Sequence, residues 1–241
     1  GIIMVFYGIY IFNRYYGDMS KKTPSGREPT KRVKTAKGRK LSSTLWLQRQ
    51  LNDPYVQKAN REGYRSRAAY KIKEIDEKMN LIKPGMDVLD LGAAPGGWSQ
   101  FAVEKKAGKV IALDILPMDP MDGVTILEMD FTEDEAPEAL IQLTGEGVDI
   151  VMSDMAPNTV GHRQTDHLRI MALVELAYDF AIQVLKPGGT FLAKVWQGGA
   201  QNELVAQMKK DFKTVKHIKP PASRQDSSES FVVAQGFRRT D

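Results

Sequence analysis

The sequence contains no cysteine. Disulfides, thiolate zinc sites and iron–sulfur clusters are excluded, and so is any mechanism with a cysteine nucleophile. The absence suits a reducing compartment, and a cytoplasmic location is expected. Histidine is nearly as scarce. His162, His167 and His217 are the three present, no two of them four residues apart, so no metal site is expected. Long hydrophobic runs are missing as well. The apolar stretch GIIMVFYGIYIF at the start covers twelve residues, against the roughly 20 needed to span a bilayer. It has neither a basic leader nor a small-residue cleavage site, so it does not resemble a secretory signal. Met19 opens a polar segment. It is expected to be the natural start, with residues 1–18 upstream of it and no membrane partner.

What is present fits one sizeable α/β domain with an appendage: 241 residues, 42% of them hydrophobic and 27% charged. The net charge of +4 is unevenly placed. Between Ser20 and Gln50 ten Lys and Arg stand against the single acid Glu28, so the rest of the chain is mildly acidic. A basic arm on an acidic body points to a polyanionic partner. Residues 19–43 carry too little apolar content to fold alone. The division expected is a basic extension over 1–42 and a folded domain over 43–241.

Two helices are expected first, near 43–51 and 67–79, the earlier one ending at Asn52-Asp53-Pro54. After Lys83-Pro84-Gly85 the pattern alternates. Strands are expected at 86–91, 109–114, 124–129, 148–153 and 189–195, and helices at 97–106, 134–144, 166–185 and 201–210. In the long helix Met171, Val174, Ala177, Ala181 and Val184 form a stripe that should face a sheet, and LKPGG should end that helix. Two further strands, 213–218 and 230–235, would close the chain. The implied fold is α/β and Rossmann-like: a mainly parallel seven-stranded sheet, helices on both faces, and an antiparallel edge strand.

In such a sheet a ligand sits beyond the carboxyl ends of the strands. The turn after the first strand, in VLDLGAAPGGWSQF, has the spacing Gly92-x-Ala94-x-x-Gly97. Ala94 occupies the position where a dinucleotide site needs glycine for the pyrophosphate. Pro95 offers no N–H to an anion, and Asp90 would repel one. These features suit a cationic ligand without phosphate, and S-adenosylmethionine fits. Asp114, 18 residues past Gly96, is placed for the donor's ribose, and Asp130 for its adenine amino group.

The fourth strand ends in MSDMAPN, so Asp154 is followed by Met155, Ala156 and Pro157. Amino-methylating enzymes commonly stack their base on an aromatic here. Without that aromatic, and without a cysteine for attack at a pyrimidine carbon, an oxygen acceptor is favoured. A ribose hydroxyl is a weak acid and needs a base, or a cation for the developing alkoxide. Lys194, at the carboxyl end of the apolar strand FLAKV, is the candidate, with Asp154 beside it. Lys71 and Glu229 are further candidates for its charged neighbours.

The ordered segments RSRAAYKIKEID, LDLGAAPGGWSQ, ALDILPMDP, MSDMAPN, LAKVWQG and SSESFVVA resemble the FtsJ family of large-subunit ribosomal RNA ribose methyltransferases over about Ser43–Gly236. The resemblance implies a class I methyltransferase fold and S-adenosylmethionine as cofactor. It implies 2′-O-methylation of a uridine in the A loop of 23S rRNA, on the 50S subunit or a late precursor. It also implies a catalytic set of Lys71, Asp154, Lys194 and Glu229, with Lys194 as base or activator. Gly96, Trp98, Asp114, Asp130 and Asp154 would hold the donor. A monomer is expected. The chain departs from the family's basic pattern at Gln225, Asp226 and Ser228. The same chemistry on tRNA or an mRNA cap, and a catalytically silent rRNA-binding assembly factor, are alternative readings. An NAD-dependent oxidoreductase is disfavoured by Ala94 and Pro95.

Overall fold

A computed structural model describes residues 41–157, 161–196 and 202–238. The apolar run over 1–18, the start expected at Met19 and the basic stretch up to Lys40 lie outside the described residues. The chain divides into two units, Gly1–Glu62 and Gly63–Asp241. This division follows chain packing, whereas the boundary expected at residue 42 follows composition.

The described part of the first unit holds helices α1 (Leu41–Leu51) and α2 (Pro54–Glu62). The helix expected from Ser43 begins two residues earlier, and α2 is an addition. Asn52-Asp53-Pro54 does end α1, but it also starts α2. Asp53 Oδ1 accepts the N–H groups of Tyr55 at 2.9 Å and Val56 at 3.3 Å. Pro54 at the first helical position sacrifices no hydrogen bond.

The second unit begins its regular structure with α3 (Ala69–Met79) and continues β1 (Val88–Leu91), α4 (Gly97–Glu104), β2 (Val110–Asp114), β3 (Val124–Glu128), α5 (Glu135–Thr144), β4 (Val148–Ser153), α6 (Arg163–Val184), β5 (Leu185–Trp196), α7 (Asn202–Asp211), β6 (Phe212–Ile218) and β7 (Glu229–Phe237). One seven-stranded sheet has the order β3-β2-β1-β4-β5-β7-β6. Strands β1 to β5 pair in parallel, and β7 runs antiparallel to both β5 and β6. The antiparallel strand expected near this edge is β7, one place in from it, and β6 is outermost.

Alternation along each strand divides the core in two. Leu89, Leu91, Ile111, Leu113, Val151, Phe191 and Ala193 face one side, where they meet the α6 stripe of Val174, Ala177, Ala181 and Val184. Val88, Val110, Ile150, Met152, Leu192 and Phe231 face the other, where they meet Ile72 and Ile75 of α3 and Trp98 and Phe101 of α4. The helix before β5 ends differently from expectation. α6 stops at Val184, and its cap Leu185 is already extended at φ −71 and ψ 132. Thus LKPGG opens β5 and is not a glycine cap. The β4–β5 register shifts between Val148 and Ile150, where 186–189 bulge outward. No described helix is long and apolar enough to cross a membrane.

Candidate active site

Two consequences of the topology set the site. The parallel strands β1, β4 and β5 end on the same side of the sheet, and the antiparallel β7 starts there. Asp154 directly follows β4, and its N–H donates to Leu91 O at 3.1 Å, which ties it to the end of β1. Lys194 stands opposite Phe231 in the β5–β7 ladder, and Glu229, first in β7, stands opposite Trp196. Lys71 comes from α3, the helix packed on that face.

These four side chains form one ion network. Lys194 Nζ donates to the Asp154 backbone carbonyl at 2.8 Å and lies 3.0 Å from Asp154 Oδ1. Lys71 Nζ lies 2.8 Å from Glu229 Oε2 and 3.8 Å from Asp154 Oδ2. Asp154 is therefore held between two cations, and Lys71 between two carboxylates. None of the four side chains is more than 17% exposed. Charges so buried persist only when paired. Burial pushes the Lys71 ammonium down, but Asp154 and Glu229 outweigh it and hold its pKa above the ordinary lysine value. Burial likewise pushes Asp154 up, and Lys194 and Lys71 outweigh it, holding its carboxyl below the usual range. Lys71 stays cationic and Asp154 anionic through the neutral range, so neither is suited to exchange a proton there. Lys194 is the remaining amine, at the closed end of the network. The four residues predicted from sequence are all brought together.

The glycine turn predicted to hold the donor lies one strand away. Asp114, last in β2, accepts the Ala94 N–H on Oδ2 and the Leu116 N–H on Oδ1, both at 2.9 Å. It braces the glycine turn against the segment that follows β2. Met129 N–H donates to Asp114 O at 2.9 Å and brings the end of β3, hence Asp130, alongside. Asp130 Oδ1 accepts from Thr132 N and Oγ1, and these bonds hold its carboxyl below the ordinary value. Trp98 is turned into the core. Its indole N–H donates to Ala68 O at 2.9 Å, and its ring packs against Phe231. That contact joins α4, α3 and β7 behind the turn. Asp90, wholly buried, accepts from Ser99 Oγ on Oδ2 at 2.7 Å, while its Oδ1 has no partner among the described residues. Desolvation, with Asp154 and Asp114 adding to it, raises its pKa to about 7.

Gly92 and Gly96 let this turn pack closely against neighbouring methionines. A Cβ on Gly92 would meet Met155 at 2.8 Å, and one on Gly96 would meet Met118 Cε at 3.0 Å and Met121 Cε at 3.1 Å. Gly96 also has φ 109, a conformation other residues adopt only under strain. Arg65 fixes the methionine-bearing loop by donating to Asp119 O and Pro120 O, each at 2.6 Å. Sequence reasoning missed Arg65, because nothing local marks it as a latch. Gly96→Ala is expected to weaken S-adenosylmethionine binding by about tenfold or more, the size of such strain. Titration calorimetry on the purified protein checks this, and unchanged affinity would remove Gly96 from the donor site. Among the described residues no group of His, Cys, Asp and Glu is arranged to hold a metal ion.

Known proteins resemble this chain in sequence and fold. Residues 64–237 match the family described as FtsJ-like methyltransferase. A protein named ribosomal RNA large subunit methyltransferase E from Novosphingobium aromaticivorans is 61% identical over 89% of this chain and 97% of its own length. One of the same name from a Bradyrhizobium strain is 63% identical over 86% of this chain and 91% of its own. A crystal structure described as a ribosomal RNA methyltransferase from Plasmodium falciparum superposes with a TM-score of 0.66 at 31% identity. It covers 72% of this chain and 98% of its own. On sequence and fold together, the chain belongs to the FtsJ-like methyltransferase family.

Proposed function

We propose that this methyltransferase uses S-adenosylmethionine to methylate a ribose 2′-hydroxyl in large-subunit ribosomal RNA, at a uridine of the A loop, on the 50S subunit or a late precursor in the cytoplasm. The observation that carries the reading is the buried Lys194–Asp154–Lys71–Glu229 network at the ends of β4, β5 and β7. The names of the similar proteins support the choice of RNA.

The residues present fit the donor. Asp114 and Asp130 close the ends of β2 and β3, and Asp90 Oδ1, unpartnered among the described residues, offers an acceptor behind the turn. When bound, the donor supplies a methyl group on a positively charged sulfur. The chain supplies the rest. Lys194 would take the 2′-hydroxyl proton on Nζ and pass it to solvent, leaving that oxygen to receive the methyl group the donor would supply. Asp154, through its carboxylate and its carbonyl, aims Lys194 and neutralises the ammonium that results. Lys71, held cationic by Glu229, keeps Asp154 ionised.

The test is to incubate the protein with methyl-labelled S-adenosylmethionine and large ribosomal subunits from cells lacking the activity, then map the label by nuclease digestion. Label on one ribose 2′-oxygen of an A-loop uridine is the expected result. Label only on tRNA or capped mRNA offered instead would overturn the substrate. Bound donor with no label on any RNA would favour a silent assembly factor.

A further inference from the structure

We infer that Ser223 is a positioning residue for methyl transfer, because its hydroxyl locks the Glu229 carboxylate that holds Lys71 in the charge network. The inference rests on the reading of Lys71, Asp154, Lys194 and Glu229 as the catalytic machinery, and it adds the part that makes their geometry rigid.

Glu229 has two carboxylate oxygens and two partners on different elements. Lys71 Nζ bonds Oε2 at 2.8 Å, and Ser223 Oγ donates to Oε1 at 2.7 Å. With both oxygens engaged, the carboxylate cannot rotate about its last torsion without breaking a bond. Ser223 is 3% exposed, so water does not readily replace its hydroxyl. Its own position is fixed from α3 and from the turn that precedes it. Arg67 Nη2 donates to Ala222 O at 2.6 Å, and Ala222 N–H donates to Glu74 Oε2 at 2.6 Å. The donor and the acceptor of Ala222 are thus both gripped by side chains. Lys71 and Glu74 stand three apart on one face of α3, and Arg67 lies in the turn just before that helix. That single face presents Lys71 to Glu229 and also grips the residue before Ser223. From the far side, Ser227 Oγ accepts the Glu229 N–H at 3.1 Å, and Lys219 Nζ donates to Ser227 O at 2.6 Å. The segment from Pro220 to Ser228 therefore acts as a brace for one carboxylate. It needs no run of basic residues to do this, which accommodates Gln225, Asp226 and Ser228.

A double-mutant cycle read by single-turnover methyl transfer to large ribosomal subunits tests the inference. Ser223→Ala is expected to slow transfer by about tenfold to a hundredfold, the worth of a buried hydrogen bond to a charged group. S-adenosylmethionine affinity should stay within about twofold, because Ser223 does not touch the donor turn. In a Glu229→Ala background the same substitution should cost less than about threefold, since its target is gone. Glu74→Ala, which frees Ala222 N–H, should behave likewise and serves as the second variant should Ser223→Ala fold poorly. Equal losses in both backgrounds, or no loss from Ser223→Ala while Glu229→Ala is severely impaired, would overturn the positioning role and leave the catalytic reading standing. A Glu229→Ala protein as fast as the parent would overturn both.

Discussion

Replacing Lys194 with Ala is expected to slow methyl transfer by about 10²–10⁴-fold, the range of a general base or acid, while the protein still binds S-adenosylmethionine. The argument runs from the network. Asp154 and Glu229 fix Lys71 as a cation, and Lys194 together with Lys71 fixes Asp154 as an anion. Of the two amines, only Lys194 sits on the Asp154 side alone, held by one carboxylate oxygen and one carbonyl. Lys71 is already bound by Glu229 at 2.8 Å. Removing Lys194 also takes away the nearer cation of Asp154, so stability should fall, by up to about 3–5 kcal/mol if Asp154 stays charged. Lys194→Met keeps the apolar stem and separates lost packing from lost chemistry. It should fold better than Lys194→Ala and be equally slow. Single-turnover rates, with donor affinity measured in parallel, check this, and near-normal rates for Lys194→Met would reject the residue altogether.

The sequence made much of this visible, for identifiable physical reasons. Parallel strands buried on both faces read as short apolar runs, and β1, β2 and β4 stand where those runs predict. The α6 stripe was legible because its residues all face one side of the sheet. Lys194 and Asp154 could be found because a charge at the end of an apolar strand has no structural excuse. Lys71 and Glu229 were weaker on pattern alone, 158 residues apart along the chain, and resemblance to a family supplied what periodicity lacked. Other features depended on tertiary pairing. Helix α2 was hidden because its start signal coincides with the stop signal of α1. The place of β7 was hidden because the order of two closing strands is decided by side-by-side packing, which the alternation of apolar residues does not encode. The grip on Ala222 was not legible: only the fold shows that Arg67 and Glu74 meet that residue.

Asp90 gives the other large effect, on stability as a function of pH. It is fully buried beneath the glycine turn, one oxygen bonded to Ser99 and the other unpartnered among the described residues, and its pKa of about 7 lies well above the ordinary 3.8. The sign follows from which state binds the proton more tightly. Below about pH 4 Asp90 is protonated in both folded and unfolded chains, and no penalty exists. Between about 4 and 7 the unfolded chain ionises while the folded one keeps its proton, so each pH unit costs the native state about 1.4 kcal/mol. Above about 7 both are ionised, and the penalty levels off at roughly 4 kcal/mol. Asp90→Asn removes the titration and keeps an acceptor for the Ser99 hydroxyl. Its stability relative to the parent, from urea unfolding without donor, should therefore climb by roughly 4 kcal/mol between pH 4 and pH 8. The absolute offset at pH 4 reports how the amide N–H fares in place of Oδ1, so the climb carries the test. A difference that does not change with pH would show that Asp90 is ionised at its ordinary pKa, with the cost of its burial offset elsewhere.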